Sequence, residues 1–152
     1  MTQAELEAAA AQRFTNVTKA RLVLEILAMY VRVRRLLRRG DLPDVVAELT
    51  ADRRPGETLD GSPASTYGAH LGRATMRTLA LLPTDSRCLV RSLVLIGLLT
   101  RRGIPTSLVI GVRAGPTFGA HAWVEHGQRP LLPAGGDEYE RLTALSGDGS
   151  PV

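Results

Sequence analysis

The strongest constraint on the fold is a nearly continuous apolar stretch, Leu89–Leu99, which is interrupted only by Arg91, Ser92 and Gly97. Its apolar residues recur at helical spacing and spread over most of the circumference of a helix. A run of about a dozen residues is too short to cross a bilayer, which requires about twenty. We therefore expect a helix at the centre of a globular fold, with Gly103 as its C-cap.

Helical signals dominate the chain before this stretch. The alanine-rich segment Ala4–Ala11 predicts one helix, and apolar spacings of three and four predict a second over Lys19–Arg39. A short helix is predicted over Pro43–Thr50 with Asp41 as its N-cap. A longer helix is predicted over Tyr67–Leu82.

The hydrophobic period changes after the central helix. Thr106–Val112 is short and β-branched, and Ala120–His126 alternates as a half-buried strand does. Arg129–Pro133 predicts a third short strand, and Asp137–Leu145 predicts a final helix. Helices followed by a small antiparallel sheet indicate an α+β fold.

Composition excludes several classes of protein. The 152 residues are 44% hydrophobic, which fits one domain with a substantial core. The net charge of +4 comes without a basic groove interleaved with aromatics, so nucleic-acid binding is not expected. One cysteine cannot form an internal disulfide, and the histidines lack zinc-site spacing, so no metal or other cofactor is expected. The N-terminus has no signal-peptide pattern and no run reaches membrane-spanning length, so the expected location is the cytoplasm.

The single cysteine, Cys88, lies in the first turn of the central helix, just after the candidate N-caps Thr84, Asp85 and Ser86. The unpaired amides and the dipole of a helix N-terminus favour an anion, so a thiolate is stabilised there and can act as a nucleophile. Arg87 adds positive charge beside it, and the same amides can receive the oxyanion of a tetrahedral intermediate. The alternative is a buried structural cysteine.

His121 is the natural partner for this thiol. On an alternating strand, His121, Trp123 and Glu125 share one face, and Ala122 and Val124 share the other. If the strand crosses the start of the central helix, the imidazole reaches the sulfur, as in papain-like and transglutaminase-like nucleophilic sites. Trp123 is a candidate oxyanion group, with core packing as the favoured alternative.

Four blocks in a fixed order carry a resemblance to a known family. They are Cys-Leu-x-Arg at 88–91, Leu-x-Arg-Arg-Gly-Ile-Pro at 99–105, Ile-Gly-Val at 110–112 and Ala-His-Ala-Trp-Val-Glu at 120–125. Together they resemble the leader peptidase of lasso-peptide biosynthesis, a bacterial branch of the transglutaminase-like cysteine-protease superfamily. The N-terminal helices match this family only in character.

The resemblance implies a cysteine peptidase that cuts the leader from a ribosomally made precursor peptide. Many family members carry a fused domain that binds the leader, and this chain resembles the split type, in which a separate leader-recognition protein presents the precursor. An ATP-dependent macrolactam cyclase then closes the freed core peptide. We expect one domain over residues 1–152: a helical N-terminal part (1–50), an exposed loop (51–66), a transglutaminase-like catalytic core (67–145) and a frayed tail (146–152).

The resemblance also implies roles for individual residues. Cys88 is the nucleophile, and His121 is the general base and acid. The family pattern expects an acid further along the chain, at the position that Pro133 occupies here. Asp137 is the nearest acid in that direction and is the candidate third residue, whereas Glu125 is expected to point past the imidazole. A Cys–His dyad is the alternative to a triad.

The sequence alone is compatible with two other functions. One is acyl or amide transfer to an amine, as other members of the superfamily perform. The other is a catalytically degenerate protein that only scaffolds the precursor and the cyclase, which the missing acid at Pro133 permits.

Overall fold

The computed structural model describes residues 3–53, 61–83, 88–134 and 138–147. Within these residues four helices precede four strands, with the bounds α1 Gln3–Leu36, α2 Leu42–Ala51, α3 Gly61–Ala80, α4 Cys88–Thr100, β1 Ser107–Arg113, β2 Gly119–His126, β3 Arg129–Pro130 and β4 Glu140–Leu145. All neighbouring strands are antiparallel. The architecture is therefore α+β, which confirms the predicted fold class.

Helix α4 lies at the centre of the fold. Every residue from Val90 to Thr100 is buried except Arg91. The helix packs against α1, α2 and α3 on the one hand and against β1 and β2 on the other. A helix surrounded in this way needs apolar residues around its whole circumference, so the sequence prediction of a central helix is confirmed.

The end of α4 is a Schellman motif at Gly103. The Gly103 φ of 70° is left-handed, a conformation that glycine adopts without a steric penalty. The Ile104 amide donates to the Leu99 carbonyl at 3.1 Å, and the Gly103 amide donates to the Thr100 carbonyl at 3.0 Å. The predicted C-cap is confirmed, and the chain turns directly into β1.

Arg102 ties this end of α4 to two other helices. Its guanidinium donates to both carboxylate oxygens of Glu25 on α1, at 3.0 and 2.8 Å, and to the Tyr67 hydroxyl on α3 at 2.8 Å. Burial alone would lower the pKa of Arg102, but Glu25 and Tyr67 together outweigh it and the pKa is raised. The block at 99–105 is therefore an anchor for α4.

Helix α1 is one helix where the sequence predicts two. It runs without a break through Thr15–Thr18, the segment predicted to start the second helix. Threonine and asparagine lower helix propensity by only roughly 0.5 kcal/mol each, and the segment holds neither proline nor glycine to end the helix. The predicted apolar stripe is confirmed, because Ile26, Met29 and Val33 are buried.

Helices α2 and α3 lie between α1 and the central helix α4 in the chain. Helix α2 confirms the prediction over Pro43–Thr50, and Asp41 occupies the N-cap position, although its side chain makes no capping hydrogen bond. Helix α3 begins at Gly61 rather than at the predicted Tyr67, so the predicted loop is shorter. Pro63 lies in the first turn of α3, where proline is tolerated.

The sheet has the strand order β3-β2-β1-β4. Strands β1 and β2 pair from Ser107 with Glu125 to Arg113 with Gly119. Strand β3 pairs with β2 only at the His126 end. Among the described residues, the opposite end of β2 therefore has no neighbouring strand on that side.

The final element is a strand where the sequence predicts a helix over Asp137–Leu145. Residues Glu140–Leu145 form β4 and pair with β1, from Val112 with Glu140 to Leu108 with Leu145. The segment contains good helix formers, but its local preference yields to the free edge of β1, which offers backbone partners. Of the predicted tail over 146–152, Ser146 and Gly147 are described, and the Gly147 carbonyl accepts a hydrogen bond from the Thr50 hydroxyl. Residues 148–152 lie outside the described part.

In the described segments, no helix combines the length and the apolar character that crossing a membrane requires.

Candidate active site

Cys88 is the first residue of α4 and is half-buried. The first amides of a helix have no partner within the helix, and they carry the positive end of its dipole. The thiol thus leaves the chain at the position where the sequence predicted a nucleophile. The three candidate caps before it and Arg87 fall in residues 84–87, outside the described part.

Ser92 shows which part of the sheet this end of α4 contacts. Its buried hydroxyl donates to the Ala122 carbonyl on β2 at 3.1 Å. The Val124 carbonyl accepts the Leu131 amide at 2.7 Å, and the Ala122 carbonyl points to the same side of β2, because alternate carbonyls of a strand do so. The Ser92 hydroxyl thus supplies a hydrogen-bond donor to the Ala122 carbonyl, at the part of the β2 edge that β3 does not reach.

The Ser92 contact lies one helical turn from Cys88 and one residue from His121. Cys88 precedes Ser92 by four residues, so the two side chains leave α4 on the same face. His121 is the neighbour of Ala122 on β2. The pairing of the Cys88 thiol with the His121 imidazole stays a prediction.

The His121 ring is held by one hydrogen bond and two aromatic rings. Its Nε2 lies 2.9 Å from the Pro133 carbonyl oxygen. The Trp123 ring is stacked against it at a centroid distance of 6.0 Å, and the Tyr139 ring is tilted at 5.3 Å. These contacts restrict rotation of the imidazole, which a general base requires in order to stay aligned.

Trp123 is buried and its indole N–H is engaged. Nε1 donates to Glu125 Oε1 at 2.8 Å, and Arg141 donates to Glu125 Oε2 at 3.0 Å. The six-membered ring lies over Gly111 on β1, where a Cβ atom would come within 2.7 Å of it. Core packing, the favoured alternative, is the role visible in this structure, and an oxyanion role for Trp123 stays a prediction. Glu125 points past the imidazole, as expected.

Tyr139 also contacts Arg113. The guanidinium carbon lies 5.5 Å from the ring centroid, and Arg113 also donates to Glu138 at 2.7 Å. The hydrogen bond to Glu138 raises the pKa of Arg113, so the side chain remains charged. Asp137, the candidate third residue, lies outside the described part and stays a prediction.

Sequence reasoning missed three contributors to this site. Ser92 had a usable signal, because a hydroxyl inside an apolar helix one turn after the cysteine needs a buried partner. Tyr139 had none, since its segment was assigned to a helix. The Pro133 carbonyl is a backbone atom, and residue type does not reveal where a backbone atom points.

Replacing Ser92 with alanine is expected to destabilise the protein by about 1–3 kcal/mol, because the Ala122 carbonyl would be left buried without a donor. Urea denaturation measures this. Ser65→Ala is the matched control, since the exposed Ser65 hydroxyl bonds only within its own helix, and it should cost less than about 0.5 kcal/mol. Equal losses in the two variants would show that the Ser92 bond does not hold this edge of the sheet.

No group of three or more His, Cys, Asp or Glu side chains in the described part of the chain is arranged to bind a metal ion. The predicted pair consists of a thiol and an imidazole, with the amides at the start of α4 beside the thiol. This combination suits nucleophilic acyl transfer.

Comparison with known proteins identifies a family. The model of the transglutaminase-like superfamily matches residues 23–146, which run from the middle of α1 to the end of β4. No curated protein and no solved structure matches the chain at a significant level.

Proposed function

Because the chain belongs to the transglutaminase-like superfamily, which includes cysteine proteases, we propose that it is a cysteine peptidase. Its proposed substrate is the leader region of a ribosomally made lasso-peptide precursor, and a separate leader-binding protein presents that substrate. The observation that supports the proposal is the Ser92–Ala122 bond, which joins α4, one turn after Cys88, to the residue next to His121 on β2.

The proposed reaction is acyl transfer to water in two steps. The His121 Nδ1 accepts the thiol proton while the Cys88 sulfur attacks the carbonyl carbon at the leader–core junction. When the tetrahedral intermediate collapses, the C–N bond breaks and the core amine leaves with that proton. A thioester then joins the leader to Cys88.

Hydrolysis of the thioester completes the cycle. His121 takes a proton from water, the resulting hydroxide attacks the thioester carbonyl, and the C–S bond breaks. The leader leaves with a free carboxylate, and the thiol recovers its proton. The first amides of α4 are the candidate donors to the oxyanion in both steps, because they have no helical acceptor.

The choice of a lasso-peptide precursor rests on the four ordered sequence blocks. Two of them carry the proposed nucleophile and base, at 88–91 and 120–125. The block at 99–105 forms the Schellman motif and the Arg102 anchor, and the block at 110–112 lies in β1 beside His121. The leader-binding protein, the cyclase and a cytoplasmic location belong to this proposal.

The test is mass spectrometry of the products made from a cognate precursor. With the leader-binding protein present, we expect a leader that ends in a free carboxylate and a core peptide with a free amine. Omitting the leader-binding protein should slow cleavage. If an added amine is instead incorporated into the leader and no free leader forms, the alternative, an acyl or amide transferase, is correct. A precursor that is bound but left intact would favour a scaffold.

A further inference from the structure

We infer that the main-chain carbonyl of Pro133 is the positioning group for His121 and takes the place of an acidic side chain, an inference that rests on the proposed function. The family pattern expects an acid at this position. The side chain there is proline, yet the residue's own backbone oxygen lies 2.9 Å from His121 Nε2. A hydrogen-bond acceptor is thus present where the residue type excludes a carboxylate.

The chemistry of this contact fixes the tautomer of the imidazole. A carbonyl oxygen only accepts hydrogen bonds, so Nε2 must carry the proton. Nδ1 then retains its lone pair and is the nitrogen available to accept the proton of Cys88. A carboxylate would select the same tautomer, and it would add a negative charge that the neutral carbonyl lacks.

The Pro133 carbonyl follows directly on two residues, Leu131 and Leu132, that are fixed by packing and by a hydrogen bond. The Leu131 amide donates to the Val124 carbonyl at 2.7 Å, and the Leu131 and Leu132 side chains are buried. Helix α3 packs closely against this segment at Gly72, where a Cβ atom would lie 2.7 Å from the Leu131 carbonyl oxygen. The proline ring also restricts φ at residue 133. A backbone acceptor held in this way has no rotamer freedom to lose when it aligns the ring.

Two consequences follow for the side chains. Pro133→Ala keeps the carbonyl, and Asp137→Asn removes a carboxylate that is not needed to orient the imidazole. Both variants should therefore leave the tautomer of His121 unchanged.

The test weakens the carbonyl itself. Suppressor-tRNA incorporation of lactic acid for Ala134 converts the Pro133–Ala134 amide to an ester, whose carbonyl is a poorer acceptor. We expect both the iodoacetamide alkylation of Cys88 at neutral pH and precursor cleavage to slow about two- to tenfold, the usual factor for one hydrogen bond. Lactic acid in place of the exposed Ala51, in the last turn of α2, is the matched control and should change neither rate.

Nitrogen-15 NMR of the histidines in the unmodified protein provides a second readout that needs no substrate. For the neutral imidazole of His121 the inference predicts a protonated Nε2 and an unprotonated Nδ1, in the wild type and in Asp137→Asn alike. The opposite tautomer would overturn it. So would a loss of cleavage of a hundredfold or more in Asp137→Asn together with an unaffected Ala134 ester.

These outcomes separate the inference from the proposed function. A protein with the expected tautomer and an ester-sensitive alkylation rate that cuts no precursor would disprove the peptidase and leave the role of Pro133 standing. A protein that cuts the precursor but depends on Asp137 would disprove the role of Pro133 and leave the peptidase standing.

Discussion

Cys88→Ala should lower the rate of leader removal by roughly 10³-fold or more, because the Cys88 sulfur is the atom proposed to carry the acyl group. The chain has no second cysteine to substitute for it. Cleavage of a cognate precursor in the presence of the leader-binding protein, followed by mass spectrometry, measures the effect.

The loss should come from chemistry and not from misfolding. Cys88 is half-buried at the first position of α4, so removing its sulfur leaves the buried part of the helix intact. The variant should keep the circular dichroism spectrum of the wild type and its affinity for the precursor. If Cys88→Ala cleaves at the wild-type rate, Cys88 is not the nucleophile.

His121→Asn should lower kcat by about 10²- to 10⁴-fold, the usual contribution of a general acid–base residue. It should also slow the alkylation of Cys88 by iodoacetamide at neutral pH, since the thiol loses its proton acceptor. His121 is only half-buried, so the fold around β2 is expected to persist.

Histidine at two other positions supplies the controls. His70 is exposed on α3 beside Arg73, and His70→Asn should change kcat less than twofold. His126 is buried, with Nδ1 2.7 Å from the Pro105 carbonyl, so His126→Asn should lower stability and leave Cys88 alkylation unchanged. Equal losses of kcat in His121→Asn and His70→Asn would show that His121 has no special role.

The parts of the fold that could be predicted from sequence are those that local chemistry determines. Helix α4 followed from its apolar circumference, its end followed from Gly103, and β1 and β2 followed from a change of period. Each of these signals lies within one segment, and no distant partner is needed to interpret it.

The errors arose where a distant partner decides the outcome. Glu140–Leu145 is a strand because the edge of β1 accepts it, and the segment itself does not encode that edge. The start of α3 was predicted too late in the chain. Pro63 is of a type that often marks a loop, but here it lies in the first turn of α3. Thr15–Thr18 weakens a helix without ending it.

The candidate site also has parts that can be predicted from sequence and parts that cannot. Cys88 and His121 are visible in the sequence as residue types in particular elements. The contacts of Ser92 and of His121 are not visible, because they involve the carbonyl of Ala122 and the carbonyl of Pro133. Every residue has a carbonyl, so only the folded chain shows which ones face the site.

The most direct test of a covalent intermediate on Cys88 is interception of the thioester with hydroxylamine during precursor cleavage. Hydroxylamine attacks thioesters readily, so we expect leader hydroxamate to form in proportion to the hydroxylamine added, at the expense of leader carboxylate, and to be absent with Cys88→Ala. If the leader appears only as the carboxylate at every hydroxylamine concentration, and Cys88→Ala yields it equally fast, no acyl group passes through Cys88 and the account is wrong.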